Sequence, residues 1–285
     1  LKKLLLQLDV ERLPSAFDAV VAFDGGADDI LQYGGVKPED VPTLVQGAIF
    51  TRGPQDLSNT AIFVGGGDVP AAQKVFAEIP KNFFGPFRVS AMLDPNGSNT
   101  TAAAAVRDAE RALGTLKGKR ALVLAGVGAV GTRTVTLLAR SGARVLFTGS
   151  NAQRLEAKLQ DLRQTFGDAL EARIAPPPGQ AAPLLEGVDL VIAAGPEGLQ
   201  LLKRSDWAAA KGLKVAVDLN AVPPLGIEGI EATDNDVERE GKRVFGALGT
   251  GKLKMKLHKR CIAALFEKND HVFDAETIFE LAHTL

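Results

Sequence analysis

The stretch "VLAGVGAVG" at 123–131 follows an apolar run and opens a helical pattern, so its three glycines mark a tight strand–turn–helix junction. Gly126 can make the turn, Gly128 removes a side chain where a pyrophosphate would approach, and Gly131 lets helix and strand pack closely. The helix start at Ala129 and Val130 offers free N–H groups and a partial positive charge to phosphates. "SGARVLFTGS" follows as a second strand, as a βαβ unit requires. The same run could be a purely structural turn; its position between a strand and a helix favours a dinucleotide. More than a hundred residues come first, and they need a fold of their own.

Apolar runs of strand length alternate with helical patterns along almost the whole chain, which predicts parallel sheets covered by helices on both faces. The first part predicts strands at 2–9, 60–66 and 87–94, helices near 15–23, 39–50 and 69–83, and a long alanine-rich helix at 98–114. "TLKGKR" at 115–120 breaks the pattern. Beyond it the strands fall at 120–125, 144–149, 170–174, 189–194, 214–219 and 243–247, with "APPPGQ" at 175–180 as a turn. After 249 the chain reads as helical to its end, and the last helix is placed to return to the first lobe. The expected organisation is α/β with two lobes: a substrate domain at 1–116, a Rossmann-type parallel-sheet domain at 117–250, and C-terminal helices at 251–285. Ligands of such folds lie at the carboxyl ends of the strands.

A net charge of −1 gives no basic surplus for nucleic acid, and no apolar run is long enough to span a membrane. The single cysteine, Cys261, excludes an internal disulfide framework and fits a reducing cytoplasm. The opening "LKKLLLQLD" is broken by Gln7 and Asp9 and reads as a strand, not a secretory segment.

The cofactor is decided at the end of the second strand of the βαβ unit, where an acidic residue would bind the ribose hydroxyls of NAD. Ser150 and Asn151 stand there instead, with Arg154 one turn into the next helix, which favours NADP and leaves NAD as a second acceptor. Arg154 could equally be a solvated helix residue. Ala194 and Gly195 end a strand where a nicotinamide ribose would lie, and Asn220 ends another before Pro223 and Pro224. In the first domain, "LDPNGSNTT" places Asp94, Asn96, Ser98 and Asn99 between a strand and a helix, as ligand groups or as turn and cap residues. Asp24 precedes Gly25 and Gly26, which suit a helix end. Helical spacing sets Lys254 and His258 on one face and Lys252 and Lys256 on another. The three histidines have no metal-ligand spacing, and no Ser- or Cys-based catalytic constellation is present. Hydride transfer that leaves a stabilised cation needs no general base, so this absence suits it.

"FDGGADD", "TAIFVGGGD", "FFGPFRVS", "LDPNGSNTTAAA", "NAVPPLGIEGIEATD" and "FGALGTGKLKMKLH" together resemble the NADP-dependent methylene-tetrahydromethanopterin dehydrogenases of bacterial one-carbon metabolism, over residues 2–283. The resemblance implies a pterin-binding lobe ahead of an NADP lobe, a homotrimer or homohexamer, and reversible hydride transfer from the methylene carbon to NADP. The substrate it implies is methylene-tetrahydromethanopterin or methylene-tetrahydrofolate. It also implies Lys254 as a catalytic lysine at a pterin oxygen, with Asp24, Asp94, Asn96, Ser98, Asn99 and His258 as substrate-binding candidates. One departure is visible: the family's basic pair after the second strand is replaced by Ser150 and Asn151, leaving Arg154 as the substitute cation. The alternatives are another two-lobed dehydrogenase, of the shikimate or methylene-tetrahydrofolate dehydrogenase/cyclohydrolase kind, or a pterin- and nucleotide-binding protein without turnover. Cyclohydrolase activity separates the first; binding of both ligands without hydride transfer marks the second.

Overall fold

The computed structural model describes residues 1–177 and 179–285, so Pro178 of the expected 175–180 turn lies outside the described residues. The chain forms two compact units, residues 1–100 with 255–285, and residues 101–254. In the first, β1 (Leu4–Asp9), α1 (Ala16–Asp24), β2 (Asp29–Tyr33), α2 (Val41–Ile49), β3 (Thr60–Gly65), α3 (Val69–Glu78) and β4 (Ser90–Leu93) lead into α4 (Ser98–Leu113). In the second, β5 (Arg120–Leu124), α5 (Ala129–Arg140), β6 (Arg144–Gly149), α6 (Ala152–Phe166), β7 (Leu170–Ile174), β8 (Leu190–Ala193), α7 (Arg204–Ala209), β9 (Val215–Asp218), β10 (Asn235–Arg239) and β11 (Lys242–Phe245) precede α8 (Ala247–Leu265). β12 (Val272–Phe273) and α9 (Ala275–Ala282) follow in the first unit.

The first unit is a five-stranded parallel sheet in the order β12-β4-β3-β1-β2. Leu6 and Leu8 of β1 and Ile62 and Val64 of β3 pack with Val41, Val45 and Ile49 of α2 in one buried cluster. The Ser15 side chain caps α1 through the Asp18 amide. At the other end the left-handed residue is Gly26, at φ +99; Gly25 is needed because a Cβ there would stand 2.7 Å from Cβ of Ile262.

The second unit has the order β10-β11-β9-β8-β5-β6-β7, parallel except for the β10–β11 pair. Counted from β5, its parallel strands follow the 3-2-1-4-5-6 arrangement of dinucleotide folds, with the switch point between β5 and β8. Leu122, Val191, Trp207, Ala216 and Val244 form its buried core on one face.

Several expectations change. The units divide inside α4, at 100/101, and inside α8, at 254/255, where the sequence places the boundaries at 116/117 and 250/251; α4 itself ends at Leu113, ahead of the breaker-like 115–120 stretch. Helix α3 stops at Glu78, ahead of Pro80, and a short 3-10 turn takes over. The chain is not helical throughout after 249, since β12 adds an edge strand to the first sheet.

Candidate functional site

The turn from β5 into α5 is built as its glycines require. A Cβ on Gly126 would lie 2.7 Å from Cβ of Phe147, and one on Gly131 would lie 2.5 Å from the Ala125 carbonyl oxygen. Both glycines are therefore demanded by the packing of α5 on the sheet. Gly128 is different. A Cβ there would meet only the Ala125 oxygen at 3.7 Å, and the residue opens onto a cavity of about 480 Å³. Among the described residues no side chain caps α5, whose first turn carries no acidic residue, so its N-terminus is left as a seat for an anion. Ala125 adopts φ +59, an unusual conformation for a residue with a Cβ, at the mouth of the same cavity.

The cavity lies at the carboxyl ends of β5, β6, β7 and β8, contributed by Ala125, Gly149, Ala175 and Ala194. Of the residues singled out from sequence, Gly128, Ala129, Val130, Ser150, Asn151, Arg154, Ala194 and Gly195 all line it. Gly126 and Gly131 lie behind it as packing residues. Asn151 caps α6, its Oδ1 accepting from the Arg154 amide at 2.9 Å. Neither the Ser150 hydroxyl nor the Arg154 guanidinium has a hydrogen-bond or ion-pair partner among the described residues. Among the described residues no carboxylate lines the cavity, and its β8 side is apolar or side-chain-free: Ala194, Gly195, Pro196, Leu199 and Leu201.

Asn220 stands beside this wall and not in it. Its Oδ1 accepts from the Val222 amide, and its Nδ2 donates to the carbonyls of Pro196 and Pro224, each at 3.4 Å. Next to it is Asp218, the last residue of β9, which sequence reading passed over. It is 1% exposed and accepts from the amides of Asn220 at 3.0 Å and Ile227 at 2.8 Å, and from Gly226. Burial pushes its carboxyl up to about 6, against the three N–H groups that favour the ionised form. A carboxylate closing an otherwise apolar strand, "VAVD", was the available signal.

In the first unit the candidates turn inward. Asp94, fully buried after β4, accepts from the amides of Asn99 and Thr100 and from the Thr100 hydroxyl at 2.6 Å. Ser98 donates to the Pro95 carbonyl and Asn99 to that of Leu93. Asn96 alone of this group is exposed, at φ 53. His258 is also fully buried, 3.9 Å from Asp94 and stacked on Phe63. Cys261 shares this interior, where burial and then the Asp94 charge hold its thiol protonated. Asp24 pairs with Lys259 at 2.7 Å. Lys254, the last residue of the second unit, is buried to 8% exposure, whereas Lys252 and Lys256 face solvent, so the helical spacing separates them as expected. Among the described residues no group of His, Cys, Asp and Glu could hold a metal ion.

Residues 16–96 match the family described as "Methylene-tetrahydromethanopterin dehydrogenase, N-terminal". Over 282 residues, 99% of this chain and 98% of the relative, it is 49% identical to "Bifunctional protein MdtA" of Methylorubrum extorquens. It is 34% identical over 277 residues, 94% of this chain and 93% of the relative, to the "NAD(P)-dependent methylenetetrahydromethanopterin dehydrogenase" of the same organism. Among solved structures, shikimate 5-dehydrogenase of Listeria monocytogenes in complex with shikimate and NAD shares the fold, with TM-score 0.54 and 13% identity over 98% of this chain and 96% of that one. The chain belongs to the methylene-tetrahydromethanopterin dehydrogenase family.

Proposed function

We propose that this protein reversibly transfers a hydride from the methylene carbon of methylene-tetrahydromethanopterin, or of methylene-tetrahydrofolate, to NADP, with NAD as a second acceptor. The observation that carries the nucleotide half is Gly128: among the described residues a Cβ there would meet only the Ala125 oxygen, at an ordinary 3.7 Å, and the residue faces a cavity at the switch point of a dinucleotide-type sheet. The pterin half rests on family membership.

The residues fit the cofactor. Gly128 and the α5 N-terminus would hold the pyrophosphate, Ser150, Arg154 and the α6 N-terminus the 2′-phosphate, and the apolar β8 wall the nicotinamide. When bound, the dinucleotide supplies the hydride acceptor. The wall of Ala194, Gly195, Pro196 and Leu201 offers no proton acceptor, and the reaction asks for none. The carbon that loses the hydride becomes a methenyl cation stabilised by the neighbouring nitrogen lone pairs, so no proton has to be removed. Catalysis then reduces to holding the two partners in line and excluding water.

Lys254 is assigned to a pterin oxygen, with Asp24, Asp94, Asn96, Ser98, Asn99 and His258 around the substrate domain. The inward bonds of Asp94, Ser98 and Asn99 make these three supports of the local fold before any ligand role. We place the protein in the cytoplasm as a homotrimer or homohexamer. A lone, buried cysteine supports that compartment, and no helix among the described residues is long and apolar enough to cross a membrane. The test is absorbance-monitored reduction of NADP⁺ and, in parallel, NAD⁺ with methylene-tetrahydromethanopterin. Turnover with NADP⁺ is the expected result; tight binding of both ligands without turnover would leave a binding protein.

A further inference from the structure

The segment 194–202, which supplies one whole wall of the dinucleotide cavity, is not held by the sheet alone. It is stitched to the 219–227 loop. The amides of Leu201 and Leu202 donate to the Gly226 carbonyl at 2.8 and 3.1 Å, the Glu228 amide returns to Leu202 at 2.9 Å, and Leu202 bridges to Ile227. Asn220 donates from the same loop to the Pro196 carbonyl. The loop in turn closes on a single buried group. The Asp218 carboxylate accepts from Asn220 at the loop's start and from Gly226 and Ile227 at its end, and its Oδ1 is seated so near Gly226 that a Cβ there would lie 2.7 Å away.

We propose that Asp218 is a positioning residue for the nicotinamide half of the dinucleotide: it clasps the 219–227 loop, and the loop holds the Gly195–Pro196 wall in place. This rests on the dinucleotide reading of the cavity. With the pyrophosphate on the glycine turn and the adenosine over β6 and α6, the remaining half of the cofactor extends over β8, where that wall lies. A carboxylate suits the task because its two oxygens accept all three N–H groups at once; a neutral amide keeps one accepting oxygen and turns an N–H₂ toward a donor.

The test compares NADP⁺ with 2′,5′-ADP, which carries only the adenosine end, by titration calorimetry on the full chain. Asp218→Asn is expected to raise the Kd for NADP⁺ about tenfold, as for loss of hydrogen bonds to a charged group, with that for 2′,5′-ADP unchanged. Trp207, the only tryptophan, donates to the Glu228 carbonyl beside the loop, so its emission reports the loosening locally. Asn220→Ala leaves the clasp and frees Pro196; it is expected to weaken NADP⁺ roughly threefold, again without affecting 2′,5′-ADP. This second variant decides the matter if Asp218→Asn does not fold. Equal losses for both ligands, or none for NADP⁺ in either variant, overturn the positioning role. A wild-type protein that binds neither ligand overturns the dinucleotide reading itself.

Discussion

Gly131 brings α5 so close to Ala125 that a Cβ would stand 2.5 Å from the Ala125 carbonyl oxygen, whereas three residues earlier a Cβ on Gly128 would meet that oxygen at an ordinary 3.7 Å. The two glycines of one motif therefore respond differently to alanine. Gly131→Ala forces helix and strand apart and is expected to cost about 1–3 kcal/mol of stability. Gly128→Ala should cost less than about 1 kcal/mol, the effect of alanine at an N-cap, yet reduce dinucleotide affinity by tenfold or more, on the order of one lost phosphate hydrogen bond. Urea melts and nucleotide titrations on both variants separate the effects. A Gly128→Ala protein that binds NADP⁺ normally would remove the reason for a glycine there.

Arg154 and Ser150 are expected to choose between the two nucleotides. Both line the cavity next to the α6 N-terminus, where Asn151 takes up only the Arg154 amide. Arg154→Gln should raise the KM for NADP⁺ roughly tenfold to a hundredfold, the range for a hydrogen bond to a charged group, and leave that for NAD⁺ nearly unchanged. Ser150→Asp should turn the preference toward NAD⁺, because a carboxylate accepts from the ribose hydroxyls and repels the 2′-phosphate. The ratio of kcat/KM for the two nucleotides measures both effects, and equal losses for the two would assign Arg154 to another role.

What could be read from sequence follows burial. β1, β3, β5, β8 and β9 are buried on both faces and read as apolar runs, and the glycine turn led directly to the cavity. β2 and β10 did not show, because "DILQY" and "NDVER" are mostly exposed edge strands with little apolar pattern, and β12 is only two residues long. Asp94, Ser98 and Asn99 were visible as polar residues after a strand, but the types that bind ligands are the types that cap helices. In the fold their atoms are bonded inward. Asp218 is marked in the sequence only by its place at the end of the apolar "VAVD" strand, with no spacing to a partner.

That distinction at Asp94 can be measured. Its carboxylate receives two amides and the Thr100 hydroxyl at the start of α4, deep in the first unit. Asp94→Asn is expected to lower stability by about 2 kcal/mol, the upper range for a lost cap, and so reduce Tm by several degrees. Where the variant stays folded, the KM for the pterin should stay near that of the wild type. A raised KM with an unchanged melt would instead make Asp94 a substrate ligand.

Asp108 on α4 gives a test that needs no ligand. Its side chain is buried beside Thr250 of α8, and among the described residues neither Asp108 Oδ2 nor Thr250 Oγ1 completes a hydrogen bond. Burial raises the carboxyl to about 6, and the nearby Thr250 hydroxyl and Arg111 offset this only in part. A folded-state value above the unfolded one means that the folded protein holds the proton more tightly between these limits. The contribution of Asp108 to stability is thus fully present below about pH 4 and is lost as pH rises through about 6. The loss amounts to roughly 3 kcal/mol, for a shift of about two pH units. Asp108→Asn removes the ionisation and keeps the shape, so at pH 8 the variant should be more stable than the wild type by up to that amount. At pH 4 the two should be nearly equal. Urea unfolding across this range checks the prediction, and a variant less stable than the wild type at pH 8 would show that the ionised carboxylate is satisfied where it stands.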